Sequence, residues 1–190
     1  MRRLGLLVVG LLTLVASGAQ SATLNVIGGI LHGASGVDVG GTLYDVEFVD
    51  GTCADLFTGC DDPTDFTFTD AALALSAMQA LLDQVFLDGP SGSFDSDPAI
   101  TNGCDYGADN ACDSITPYYS ATGSESINVA IAANGTGSNS TNSVSFSHVL
   151  YDPTSLSGQS VYARWTQVPE PSTALLLGLG LAGLAARRRV

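Results

Sequence analysis

The side chains able to do chemistry here are carboxylates, four cysteines and two histidines. The chain contains no lysine; all six of its basic residues are arginines. A serine, threonine or cysteine nucleophile needs a neighbouring base, and the only imidazoles are His32 and His148. His148 lies in an alternating stretch with Val144, Phe146 and Leu150 and reads as a packed or rim histidine. His32 follows an apolar run beside Gly33 and reads as an exposed turn residue. Gly89-Pro90-Ser91-Gly92-Ser93 resembles a nucleophile elbow but lacks its last glycine. No H-E-x-x-H, phosphate-binding loop or D-T-G/D-S-G triplet is present. Carboxylate pairs of the kind used by glycosidases arise by chance in a chain with 19 acids. The residues therefore point away from an enzyme. A hydrolase built on scattered acids is the least favoured alternative.

Metal binding is the sharper chemistry. Asp95, Asp97, Asp105, Asp109 and Asp113 sit in a stretch rich in Gly, Ser and Asn. Hard oxygen donors on such loops suit Ca²⁺, which takes six to eight of them. The spacing is not that of an EF-hand, because Ile100 stands where glycine is needed. A solvated acidic surface explains the same residues. Apart from this Ca²⁺ candidate, no cofactor is expected.

Cys53, Cys60, Cys104 and Cys112 form two close pairs. Neither interval is the two-to-four-residue spacing of common zinc ligands. Four cysteines allow three disulfide connectivities. Local pairing is favoured because both intervals are loop-like, and such bonds persist in oxidising compartments.

Charge narrows the partners. Residues Thr23 to Val168 carry one arginine, Arg164, against 18 acids. A surface so negative repels phosphate backbones, which excludes nucleic acid. At 146 residues, this stretch is one domain with a real core.

The elements follow from periodicity. Leu24 to Leu31 reads as a strand bent at Gly28-Gly29, and Thr42 to Asp50 as a half-buried strand with Tyr44, Val46 and Phe48 on one face. Thr69 or Asp70 caps a helix from Ala71 to about Leu87, with Leu75, Met78, Leu82, Val85 and Phe86 as its buried stripe and Gly89-Pro90 as its stop. Ser91 to Pro117 reads as a long irregular loop, stapled or functional. Ser126–Ala132, Val144–Tyr151 and Val161–Thr166 alternate as strands, with Asn134 to Ser143 a flexible connection carrying two Asn-x-Thr sequons. The sum is an α+β domain over residues 23–167: an antiparallel sheet of about five strands with one main helix packed on a face.

Both termini read as addresses. Arg2 and Arg3, an apolar run from Leu4 to Ala16 and small residues up to Ala22 make residues 1–22 an export signal. At the other end, Pro169-Glu170-Pro171 forms an extended spacer. An all-round apolar run from Ala174 to Ala186 follows it, closed by Arg187, Arg188 and Arg189. Thirteen residues at ~1.5 Å each cover only about 20 Å of a ~30 Å hydrocarbon core, so this is a marginal span. The arginines stop it on the cytoplasmic side and leave the domain outside.

In its order of parts, the tail over residues 168–190 resembles the PEP-CTERM sorting signal of Gram-negative bacteria. The match lies in Pro169-Glu170-Pro171, a short helix with Gly178, Gly180 and Gly183, and the arginine cluster. The segment from Gly36 to Cys53, and Ala80 to Phe86 after it, resemble stretches common in PEP-CTERM proteins of unknown function. The resemblance implies recognition by an exosortase, a membrane-embedded cysteine protease-transpeptidase. It further implies cleavage at or near the motif and delivery of an inner-membrane-anchored intermediate to the cell envelope or an exopolysaccharide matrix. It assigns no activity to the domain. The expectation is an exported, non-enzymatic surface or matrix protein with exosortase and the export machinery as partners. A carbohydrate- or ligand-binding module using the Ser91–Pro117 loop and weak Ca²⁺ sites is the second reading.

Overall fold

The computed structural model describes residues 21–104, 111–120, 126–136, 142–150, 158–169 and 178–181. The expected export signal, residues 1–22, lies outside them apart from its last two residues. In chain order the strands are β1 (Thr23–Ile27), β2 (Ile30–Val39), β3 (Thr42–Val49), β4 (Asp88–Gly89), β5 (Gly92–Ser93), β6 (Ala111–Ser120), β7 (Ser126–Gly135), β8 (Ser143–Leu150) and β9 (Ser160–Gln167). The helices are α1 (Cys53–Leu56) and α2 (Ala71–Gln84).

Two Gly-Gly pairs set the first three strands. Gly28 and Gly29 have φ of +61° and +88°, and Gly40 and Gly41 of +62° and +92°. Two consecutive positive φ values make the tight turn whose twist suits a hairpin. Gly28-Gly29 is therefore not a bend within one strand: it closes a hairpin, with Ile27 opposite Ile30, as Gly40-Gly41 does with Val39 opposite Thr42.

The main sheet has seven strands in the order β1-β2-β3-β9-β6-β7-β8, and β4 and β5 pair separately. Two expectations are corrected here. The strand count is seven rather than about five, because the Gly28-Gly29 turn makes two strands of one and because β6 occupies the end of the stretch read as irregular. The sheet is also mixed: β9 runs antiparallel to β3 but parallel to β6. The Ser91–Pro117 stretch holds β5, a short 3-10 turn at Pro98–Ile100 and most of β6.

α2 lies on one face of the sheet. Asp70 caps it by accepting from the Leu73 N–H. Its buried residues are Ala74, Ala77, Met78, Ala80 and Leu81, while Leu75 and Leu82 are only half-buried. The stripe is thus rotated from the one expected, since small alanines let the helix axis lie close to the strands. The helix ends at Gln84 rather than Leu87, and buried Val85 and Phe86 follow as non-helical core residues. Gly89-Pro90 belongs to the β4–β5 turn. Phe48 stacks on Phe86 at 5.3 Å, and Tyr44, Phe68 and Trp165 pack edge to face beside them.

Alternation along β9 sends Val161, Ala163 and Trp165 toward this helix-covered core and Tyr162 to the other face. There Tyr162 meets a second cluster with Ile115, Ile127, Val129, Phe57 and Phe66. Phe57 and Phe66 belong to the segment spanned by the Cys53–Cys60 disulfide and its flank. The middle strands are therefore buried on both faces, by α2 on one side and the stapled segment on the other.

Candidate functional site

The exit of β9, which leads into the Pro-Glu-Pro stretch, is well defined by its pairing and hydrogen bonds. β9 is central, paired over six positions with β3, from Tyr44 opposite Gln167 to Val49 opposite Tyr162. The Thr67 hydroxyl donates to the Trp165 carbonyl at 2.6 Å, and the Trp165 indole N–H to Thr116 Oγ1 at 2.9 Å. One residue beyond the strand, the Val168 N–H still donates to the Leu43 carbonyl at 2.9 Å. Pro169 follows, exposed and without an N–H to continue the ladder. The rigid core therefore gives way to the Pro-Glu-Pro stretch within one residue. Glu170, Pro171, Arg187, Arg188 and Arg189 lie outside the described residues. Of the apolar run, residues 178–181 are described; they are helical, with Leu179 and Leu181 exposed. Among the described residues no helix is long and apolar enough to cross a membrane.

A second feature lies on the uncovered half of the sheet. Glu47 opposite Arg164 and Asp45 opposite Thr166 share the face of Tyr162, beyond the reach of the stapled segment. With Asn25 and Ser35 they line a shallow polar depression of about 410 Å³. Arg164 bridges Glu47, with both side chains well exposed, so the pair contributes little to stability. Asp45 and Glu47 are legible as an outward row on β3. That Arg164 lies across from them depends on a pairing 117 residues apart, which periodicity does not give.

Both disulfides are local: Cys53–Cys60 and Cys104–Cys112, with Cα separations of 5.7 and 5.8 Å. Of the metal candidates, Asp95, Asp97 and Asp113 lie among the described residues. Asp95 accepts from Asn142 Nδ2 at 2.6 Å. The Asp97 N–H donates to the Ser93 carbonyl, and Asp113 sits within β6 opposite Ala133. Asp105 and Asp109 lie outside the described residues. Among the described residues, no three His, Cys, Asp or Glu gather as a metal-holding group. Asp88 organises this region without having been expected to: its carboxylate accepts from the Ser96 hydroxyl and from the Ser96 and Asp95 N–H groups. The Ser96 hydroxyl, with help from the backbone, holds the Asp88 carboxyl below the usual range. Asp62 is held low in the same way, by the Thr64 N–H and hydroxyl.

The histidines are far apart in the fold. His148 is exposed on β8, at one edge of the sheet. His32 is half-buried within β2, not in a turn, because the strand begins at Ile30. Asn134 of the first sequon is fully buried in β7, not in a flexible connection, and its Nδ2 donates to the Phe94 carbonyl at 2.7 Å.

The domain is stapled by two disulfides, and its last core strand ends one residue before the Pro-Glu-Pro stretch. A family model described as the PEP-CTERM protein-sorting motif matches residues 167–189. The chain thus carries this sorting motif over those residues, and the motif implies export and sorting by an exosortase through a membrane-anchored intermediate. No curated protein and no solved structure matches the chain.

Proposed function

We propose that the domain is a non-enzymatic surface or exopolysaccharide-matrix protein, released into its final location when its tail is processed. The observation that carries this reading is the one-residue passage from β9 into the sorting motif. Cutting at or beyond Pro169 leaves every core strand whole. The chemistry available supports it. The four cysteines are spent in disulfides and the histidines sit on β2 and β8, separated by four intervening strands. A tag fused after Val190 tests the processing. Mature protein in the envelope or matrix fraction should lack the tag, and replacing Pro169, Glu170 and Pro171 together with alanine should leave tagged precursor in the membrane. Mature surface protein that still carries the tag overturns the reading.

The polar depression between β3 and β9 favours a second reading, a binding module for a neutral or cationic polar ligand such as a glycan. Glycan-array binding that is lost in Glu47→Ala and Arg164→Ala would support it. Binding unaffected by both substitutions would remove it.

A further inference from the structure

β8 ends the sheet, and among the described residues no strand pairs with its outer edge. Exposed edges are normally blunted by charge, proline, a bulge or shortness. β8 has none of these. Its eight residues, Ser-Val-Ser-Phe-Ser-His-Val-Leu, contain no lysine, arginine, acid or proline. It pairs with β7 at eight consecutive positions with no register shift. The opposite edge differs: β1 has five residues and a shift between Asn25 and Val26. Phe146 of β8 is 49% exposed, on the same face as Val144.

Charge identifies the occupant. Sixteen of the nineteen acids lie at or before Asp113, and between Ser114 and Tyr151 the only one is Glu125. Asp95 touches the β8 end through Asn142 and does not lie along the edge. β8 itself thus presents an uncharged border in an acidic chain and offers a cationic partner no carboxylate of its own. A second copy of this chain meets a border as neutral as its own.

We propose that the exported protein forms a twofold dimer by antiparallel pairing of β8 with β8 of a second copy. Side chains of facing strands must share a face. The register centred on Phe146 satisfies this, setting Phe146 opposite Phe146, Val144 opposite His148 and Ser145 opposite Ser147. No like charges face each other. β3, with Asp45 and Glu47, stands four strands from β8. At ~4.8 Å per strand spacing the two copies keep these carboxylates about 40 Å apart, several times the ~10 Å screening length at 0.1 M salt. An interface that uses the same patch on both copies closes at two.

Sedimentation of the purified exported protein tests this. The wild type should show twice the monomer mass at micromolar concentrations. Phe146→Lys and Phe146→Glu should each run as monomers with unchanged circular dichroism, because each sets like charges face to face. Mixing the two variants should restore the doubled mass, which a merely misfolded variant would not do. Ile27→Lys, at the β1 edge, should leave the dimer intact. A monomeric wild type overturns the proposal, as does a Phe146→Lys dimer or an unrestored mixture.

Discussion

The Trp165 indole N–H and the Thr116 hydroxyl meet at 2.9 Å across the only parallel strand pair among the described residues. The parallel ladder itself is short, from Asp113 opposite Ser160 to Ile115 opposite Tyr162. Thr116 extends it: its hydroxyl accepts from Trp165 and also lies 3.4 Å from the Ala163 carbonyl. Both residues are buried. The two halves of the sheet, β1-β2-β3 and β6-β7-β8, join through β9, so this contact sits on the seam. Thr116→Val keeps the shape and orphans the indole N–H, at an expected cost of about 1–3 kcal/mol. Thr116→Ser, which keeps the hydroxyl, should cost less. Trp165 is the single tryptophan, so its fluorescence in a denaturant titration reads the effect at the seam.

The Cys53–Cys60 disulfide closes a short loop, with a sequence separation of 7. Chain-entropy arithmetic for such a loop gives about 2–2.5 kcal/mol. Its removal also loosens Phe57, which covers Tyr162 at 5.5 Å. The double variant Cys53→Ser/Cys60→Ser should therefore lose at least that much in chemical denaturation and should expose Tyr162 to solvent. Unchanged stability would mean that Phe57 and Phe66 hold the segment unaided.

What the sequence made legible, and what it hid, divides along physical lines. Period-two alternation located β3, β7, β8 and β9, because each has one face far more apolar than the other. It missed the first part of β6, where Ala111, Cys112, Asp113 and Ser114 give no contrast and the strand is buried by its neighbours. Gly28-Gly29 and Gly40-Gly41 are the same dipeptide, yet only the second was flanked by a clear alternating run. The sorting motif was legible because it is contiguous. The polar depression was not, because Arg164 and Glu47 meet only once β9 inserts beside β3.

The orientation of α2 separates two descriptions of the core. If the alanine stripe faces the sheet, Ala77 has no spare room, and Ala77→Leu should destabilise by about 1–3 kcal/mol through overpacking. Leu75→Ala, at a half-buried position, should cost less than the 2–5 kcal/mol typical of a fully buried leucine. Had the leucine stripe faced inward, the order would reverse. Thermal unfolding of the two variants decides it.

Asp113 gives the stability a definite pH dependence. Burial raises its carboxyl pKa above the ordinary value of 3.8, while the unfolded chain titrates near 3.9. The folded state therefore holds the proton more tightly. Its contribution is fully present below the unfolded pKa and is lost as pH rises through the raised folded value. At neutral pH a half-buried, ionised Asp113 destabilises the sheet, so Asp113→Asn should raise the melting temperature by roughly 1–3 °C at about pH 7. At about pH 3 the wild-type carboxyl is protonated and the difference should vanish. A gain that is the same at both pH values would trace to packing rather than to the charge. A loss at neutral pH would mean that the carboxylate is held by a favourable partner.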